Sequence, residues 1–354
     1  MFDPVQQYTQ QIEADVNNIL TLLSTQRKAG TPEEEAFVAK HILPLENHPH
    51  TTQFSQDKYG NVFIEVCGGS DKLFTAHTDM IVIPNTKQAV LYDANLQVAY
   101  TSGKCTLGAD DGAGMWLLME LLKAGVPCWL AFFREEEIGG RGSSFASTDN
   151  PEFFKSFTHC ISFDRRGTGD VITHQSYGRC CSDILADHLS RALNEQGLDY
   201  RPCDGGVFTD SANFTDLIAE CLNLSCGYNN EHRADEDLDV DHLLRLRDAV
   251  VKLDWATMPV KREPGEEDFK YDYSWRDYRN FDDEFMHDVP PFDKSKSKNR
   301  THTPAIKVED LCAMSHAELV DAMWEDPEAM ADAIWDLLWG DAQPIDFDPE
   351  DGIN

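Results

Sequence analysis

Five short stretches of this 354-residue chain carry side chains able to hold a cation or move a proton. In Leu73-Phe-Thr-Ala-His77-Thr-Asp79 an extended segment runs into His-x-Asp. Residues two apart on a strand face the same side, so Asp79 can take the ring proton of His77 and fix the tautomer that binds a metal. Alone, such a pair is equally a structural hydrogen bond at a strand end. Leu107-Gly-Ala-Asp110-Asp111-Gly sets two carboxylates at the mouth of a helix, where acids also serve as plain caps. Arg134-Glu135-Glu136-Glu137-Ile-Gly follows an apolar run. Charge runs usually mark a solvated face, but at the end of a buried strand one carboxylate can meet a metal and the next a water. Asp164 ends Cys160-Ile-Ser-Phe, and His232 follows Gly227-Tyr-Asn-Asn-Glu. Each has a bland reading as a surface polar residue, yet together the five can hold two divalent metals that share one carboxylate.

Such convergence requires a scaffold that brings distant strand ends to one place. The pattern predicts helices over 16–28 and 33–43, with Thr31 as cap and Pro32 at the first helical position. Strands follow over 61–66 and 73–77, then a hairpin over 89–92 and 96–100. Helices over 114–124, 182–196 and 240–255 alternate with strands over 128–133, 159–163 and 222–226. That alternation means an α/β fold with a mixed, largely parallel sheet and helices on both faces. Ligands in such sheets sit beyond the carboxyl ends of the strands.

Composition narrows the partners. With 63 acidic and 30 basic residues the net charge is −33, which argues against nucleic acid and anionic membranes. The most apolar region, 114–133, is broken by Glu120, Lys123 and Pro127 and falls short of the ~20 residues of a membrane span. A start without a basic, apolar leader and ten cysteines without a C-x-x-C predict reduced thiols and a cytoplasmic location. Residues 1–258 read as the catalytic domain, 259–303 as a charged linker or surface-wrapping segment, and 304–354 as an acidic tail forming a small helical hairpin. From 259 on there are 25 acids and 10 bases, so −15 of the −33 lies there.

The chemistry-bearing set resembles the co-catalytic dizinc exopeptidase superfamily, which includes peptidase T, the carboxypeptidase G and aminoacylase group, and the bacterial zinc aminopeptidases. The likeness runs from Asp57-Lys-Tyr-Gly-Asn to Asp239, about half of the chain. It implies His77 and Asp164 on one metal, Glu137 and His232 on the other, and Asp110 bridging both. Glu136 would be the general base and Asp79 the partner of His77. The register comes from Glu136-Glu137-Ile-Gly, which leaves Glu135 as an extra acid without a role. A cis peptide between Asp110 and Asp111 and two divalent ions, zinc first, are further implications.

Asp at 164 is nearer the aminopeptidase and tripeptidase members than the carboxypeptidases and deacylases. The intervals 232 − 164 = 68 and 110 − 79 = 31 residues leave no room for a lid domain. Thr209-Asp210-Ser211 resembles an element lining the site in relatives, which makes Asp210 a candidate substrate contact; the plain alternative is a turn residue. The expected activity is that of an aminopeptidase or di/tripeptidase. Two alternatives stay open: an amidohydrolase of amino-acid-derived metabolites, and a non-catalytic metal-binding adaptor. A homo-oligomer or a partner docked on the tail is equally open.

Overall fold

Apolar runs form the centre of a sheet and polar ones its rim. The computed structural model describes residues 4–175 and 178–265; the expected linker beyond 265 and the helical tail lie outside the described residues. In chain order the elements are α1 (Pro4–Leu23), α2 (Pro32–His41), β1 (Thr51–Gln56), β2 (Val62–Val66), β3 (Lys72–His77), β4 (Val90–Asp93), β5 (Val98–Thr101) and α3 (Ala109–Ala124). Then come β6 (Cys128–Phe133), α4 (Arg141–Asp149), α5 (Pro151–Phe154), β7 (His159–Arg165), β8 (Asp170–Ile172), β9 (His174–Gln175), β10 (Gly178–Arg179) and α6 (Asp183–Asn194). The last are β11 (Arg201–Cys203), β12 (Glu220–Ser225), β13 (Tyr228–Asn229), β14 (Asp237–Asp239) and α7 (Val240–Lys252).

Eight strands form one sheet in the order β1-β2-β6-β3-β7-β12-β8-β11. Its centre, β6-β3-β7-β12, is parallel throughout, and β1 and β2 are antiparallel at one edge. Every residue of β3 and β12 is buried, as strands covered on both faces must be. Helix α3 lies along β3 and β7, with α1 and α7 against it. Phe74 and Phe163 stack at 5.7 Å, and Trp255 meets the edge of Phe74 at 4.7 Å. The α/β class and the largely parallel sheet are as the alternation predicts.

A second sheet, β13-β14-β5-β4, ties the expected hairpin to the segment that carries His232. Residues between 79 and 110 add this hairpin and loops, and the described residues between 164 and 232 add β8 to β13, α6 and the 3-10 turn Asp210–Phe214. Among the described residues no helix is long and apolar enough to cross a membrane, and all nine described cysteines are free.

Boundaries moved where tertiary contacts outweigh local pattern. The first helix ends at Leu23, because Arg27 and Lys28 run extended beside Met80. Thr31 stands at the cap position of α2, but its hydroxyl turns back to the Lys28 carbonyl. Strand β1 escapes the apolar template because Thr-Thr-Gln-Phe-Ser-Gln is a polar edge strand.

Candidate metal centre

Parallel strands end together, so β3, β6 and β7 deliver His77, the Glu135-Glu136-Glu137 turn and Asp164 to one edge of the sheet. The turn into α3 brings Asp110, and the loop after β13 brings His232. Nε2 of His77 lies 2.9 Å from Asp110 Oδ1 and 3.7 Å from Asp164 Oδ1. Nε2 of His232 lies 3.2 Å from Asp110 Oδ2 and 2.8 Å from Glu137 Oε2. The two oxygens of Asp110 therefore face two different imidazoles.

Around these atoms stands a shell of main-chain bonds. Asp79 lies 3.3 Å from His77 Nδ1 and accepts from the N–H groups of Glu136 and Glu137, at 3.0 and 3.1 Å. One carboxylate thus stands against the ring and holds the acidic turn. Asp111 is also within reach of His77 and Asp164, but its two oxygens take the N–H groups of His77 and Gly114. Gly114 is obligatory there, since a Cβ would stand 2.4 Å from both Asp111 Oδ1 and the Phe163 carbonyl. The Asp110–Asp111 peptide is cis, as the resemblance implies.

Two non-glycine residues at the site hold the left-handed backbone that L-residues avoid, Glu135 at φ 59° and His232 at φ 66°. Glu135, the acid without an assigned role, accepts from the Tyr59 hydroxyl at 2.6 Å and lies 3.7 Å from Arg141. It belongs to that network and stands apart from the imidazoles.

Crowded acids and burial disturb the titrations of His77, Asp110, Glu136, Glu137, Asp164 and His232. Burial, with Asp164, Asp210 and Asp110 nearby, pushes Glu136 up to about 10. Burial and Asp110 raise Glu137 and Asp164 as well. His232 is pushed up to about 11 by its bonds to Asp110 and Glu137. Burial opposes protonation of His77, but Asp110, Asp164 and Asp79 outweigh it and raise the ring well above the usual range. Burial would raise Asp110 too, yet its two imidazole partners hold it below the usual carboxylate range. Glu137 Oε1 is buried without a protein partner. Surplus buried carboxylates, two imidazoles charged only by protons and an unpaired oxygen fit divalent cations, which would take the place of those protons.

The structure brings His77, Asp79, Asp110, Glu136, Glu137, Asp164 and His232 together. Asp210 is buried, is pushed up to about 7 by burial, and does not line the cavity beside the cluster. That cavity, about 200 Å³, is lined by Asp110, Glu136, Glu137, Asp164 and His232, with Arg165, Arg166, Ile172, Gln175, Val207 and Phe208 also in its wall. The sequence motifs assign no role to three residues that hold Asp164. The Thr209 hydroxyl donates to its Oδ2 at 2.5 Å, the Tyr228 hydroxyl to its Oδ1 at 2.9 Å, and Asn223 bonds its main-chain N–H and carbonyl.

No family model and no curated protein sequence matches the chain. Its fold is similar to that of aminopeptidase PepT from Bacillus cereus, with a TM-score of 0.54 at 14% identity over 68% of this chain and 97% of that one. A tripeptidase from Staphylococcus aureus gives 0.55 at 12% over 68% and 96%. Aminopeptidase APDkam598 from the archaeon Desulfurococcus kamchatkensis gives 0.52 at 12% over 68% and 94%. The chain has the exopeptidase-like fold that its motifs lead one to expect.

Proposed function

We propose that this chain hydrolyses peptide bonds as an aminopeptidase or di/tripeptidase, with two divalent cations held by His77, Asp110, Asp164, Glu137 and His232. The observation that carries the reading is Asp110, whose two oxygens each meet a different imidazole, at 2.9 and 3.2 Å. Nitrogen and carboxylate donors favour zinc. Bound there, the cations supply a polarised scissile carbonyl and a water acidic enough to ionise near neutral pH.

The chain's own groups do the rest. Glu136 takes the proton of the attacking water and hands it to the leaving amine. Asp79 keeps the His77 proton on Nδ1, which leaves Nε2 free to ligate, and its grip on the Glu136 and Glu137 N–H groups sets base and ligand in register. Tyr228 and Thr209 fix Asp164. At the cavity wall Glu231 pairs one oxygen with Arg166 at 3.1 Å and keeps the other, Oε2, buried without a protein partner, an acceptor that would suit a free α-ammonium group.

Glu136→Gln tests the reading. The variant should keep both metals by elemental analysis and lose peptide hydrolysis by about 10²–10⁴-fold; undiminished hydrolysis overturns the proposal. N-acetylated peptides should be poor substrates, and their efficient cleavage rules out the aminopeptidase version.

A further inference from the structure

We propose that Glu236 is a positioning residue for the cation centre, fixing the loop that carries His232 against the turn that carries Asp110. The inference rests on the reading of those residues as cation ligands. Glu236 is 1% exposed, and its carboxylate accepts four successive main-chain N–H groups: Leu107 at 2.8 Å, Gly108 at 3.0 Å, Ala109 at 2.7 Å and Asp110 at 3.3 Å. These donors lie in the turn into α3, whose backbone at Asp110 and Asp111 is not yet helical, and at a helix start a local Ser, Thr, Asn or Asp usually supplies the acceptor. Here the cap position is Gly108, at φ 72°, and a Cβ there would stand 2.7 Å from Met80 Cε. No local cap fits, so the acceptor arrives from 126 residues beyond Asp110.

Where it comes from is what matters. Glu236 lies four residues after His232, and the strand that follows it is registered on β5 through Asp237 and Tyr100. The Thr101 hydroxyl holds the Ala234 carbonyl at 2.8 Å. His232 itself is half exposed and left-handed. Its distance from Asp110 therefore depends on a tether in its own segment, and Glu236 is that tether. Arg27, wholly buried, grips the same peptide from the other side, donating Nη2 to the Gly108 carbonyl at 2.6 Å. Its own carbonyl accepts from Met80, three residues beyond His77. Both imidazoles are thus referred to one peptide unit.

The test is the affinity of the full-length chain for Zn²⁺, measured by competition with a chromophoric chelator, beside melting of the cation-free protein. Glu236→Gln places an NH₂ group against the N–H groups it should accept, and is expected to weaken Zn²⁺ binding about 10–100-fold while the cation-free chain still melts cooperatively. Wild-type affinity with a lowered melting temperature would make Glu236 a helix cap only and overturn the proposal. Should Glu236→Gln fail to fold, Glu236→Asp keeps the charge but reaches fewer of the four donors. A several-fold loss of affinity then supports the proposal, and unchanged affinity overturns it. Wild-type protein that binds two Zn²⁺ but cleaves no peptide would sink the hydrolase reading and leave this inference standing, whereas wild-type protein that binds none overturns both.

Discussion

The same parallel strands bury charge at both of their ends, and the two ends are built on opposite terms. At the amino edge, Lys72, His159 and Glu220 are the first residues of β3, β7 and β12 and sit in register. Each is matched there. Lys72 bonds Asp71, and His159 lies 2.8 Å from the Thr158 hydroxyl and 3.1 Å from the Pro259 carbonyl. Glu220 accepts from the N–H and hydroxyl of Ser182 and from the N–H groups of Lys261 and Arg262. At the carboxyl edge, Asp110, Glu136, Glu137 and Asp164 crowd around two imidazoles and share them. A buried polar group that serves only the fold is satisfied within the fold. A cluster of acids left short points to something the protein takes up.

The largest expected effect contrasts one acid at each edge. Glu137→Gln removes a carboxylate that burial and Asp110 already drive toward protonation. The cation-free melting temperature should hold or rise, while Zn²⁺ affinity falls more than about a hundredfold, beyond the effect of an outer partner. Glu220→Gln should do the reverse. Donors left facing an NH₂ group cost about 3 kcal/mol of stability, with Zn²⁺ affinity of the folded protein unchanged. Thermal melts and chelator titrations on both variants decide it, and a shared loss of affinity would erase the distinction between the edges.

Acid sharpens the same contrast. Burial and the neighbouring Lys72 push His159 down to about 4. Unfolded, the ring titrates near 6.5, so between about 6.5 and 4 the unfolded chain binds the extra proton and stability falls with pH. The contribution is fully present above pH 6.5, and about 2 kcal/mol of it is lost by pH 5. His159→Gln keeps a donor for the Pro259 carbonyl without a titrating ring. Its melting temperature should therefore decline less over this window; a curve parallel to wild type would remove His159 as a cause.

How much of this was legible follows from how far each contact reaches along the chain. The proposed ligands sit in short motifs at strand ends and at the turn into α3, and the β6 run announces itself by unbroken apolarity. Glu236, Tyr228 and Asn223 bond their targets across 59 to 129 residues and carry no local pattern, so only the fold identifies them, and Thr209, though part of a motif, reveals its bond to Asp164 across 45 residues only in the fold. Strands β8 to β11 have two or three residues each, too short for periodicity to register. Glu135 was legible as an acid, but its left-handed backbone and its Tyr59 partner were not.

The smallest effect pits one hydroxyl against another. Thr209 donates to Asp164 beside the cluster, and Ser182 donates to Glu220 while accepting from the Leu185 N–H at the start of α6. Both bonds are buried or nearly so, and each variant loses one small polar group. Ser182→Ala gives up a helix cap worth about 1 kcal/mol, visible as a lower melting temperature with Zn²⁺ affinity intact. Thr209→Val frees one oxygen of an acid already driven toward protonation by burial and Asp110, so it gives up orientation of a proposed ligand. Melting should barely move, while Zn²⁺ affinity drops by about tenfold. If the two variants exchanged these signatures, the hydroxyl at the carboxyl edge would be holding the fold, and the division between the two ends of the sheet would be wrong.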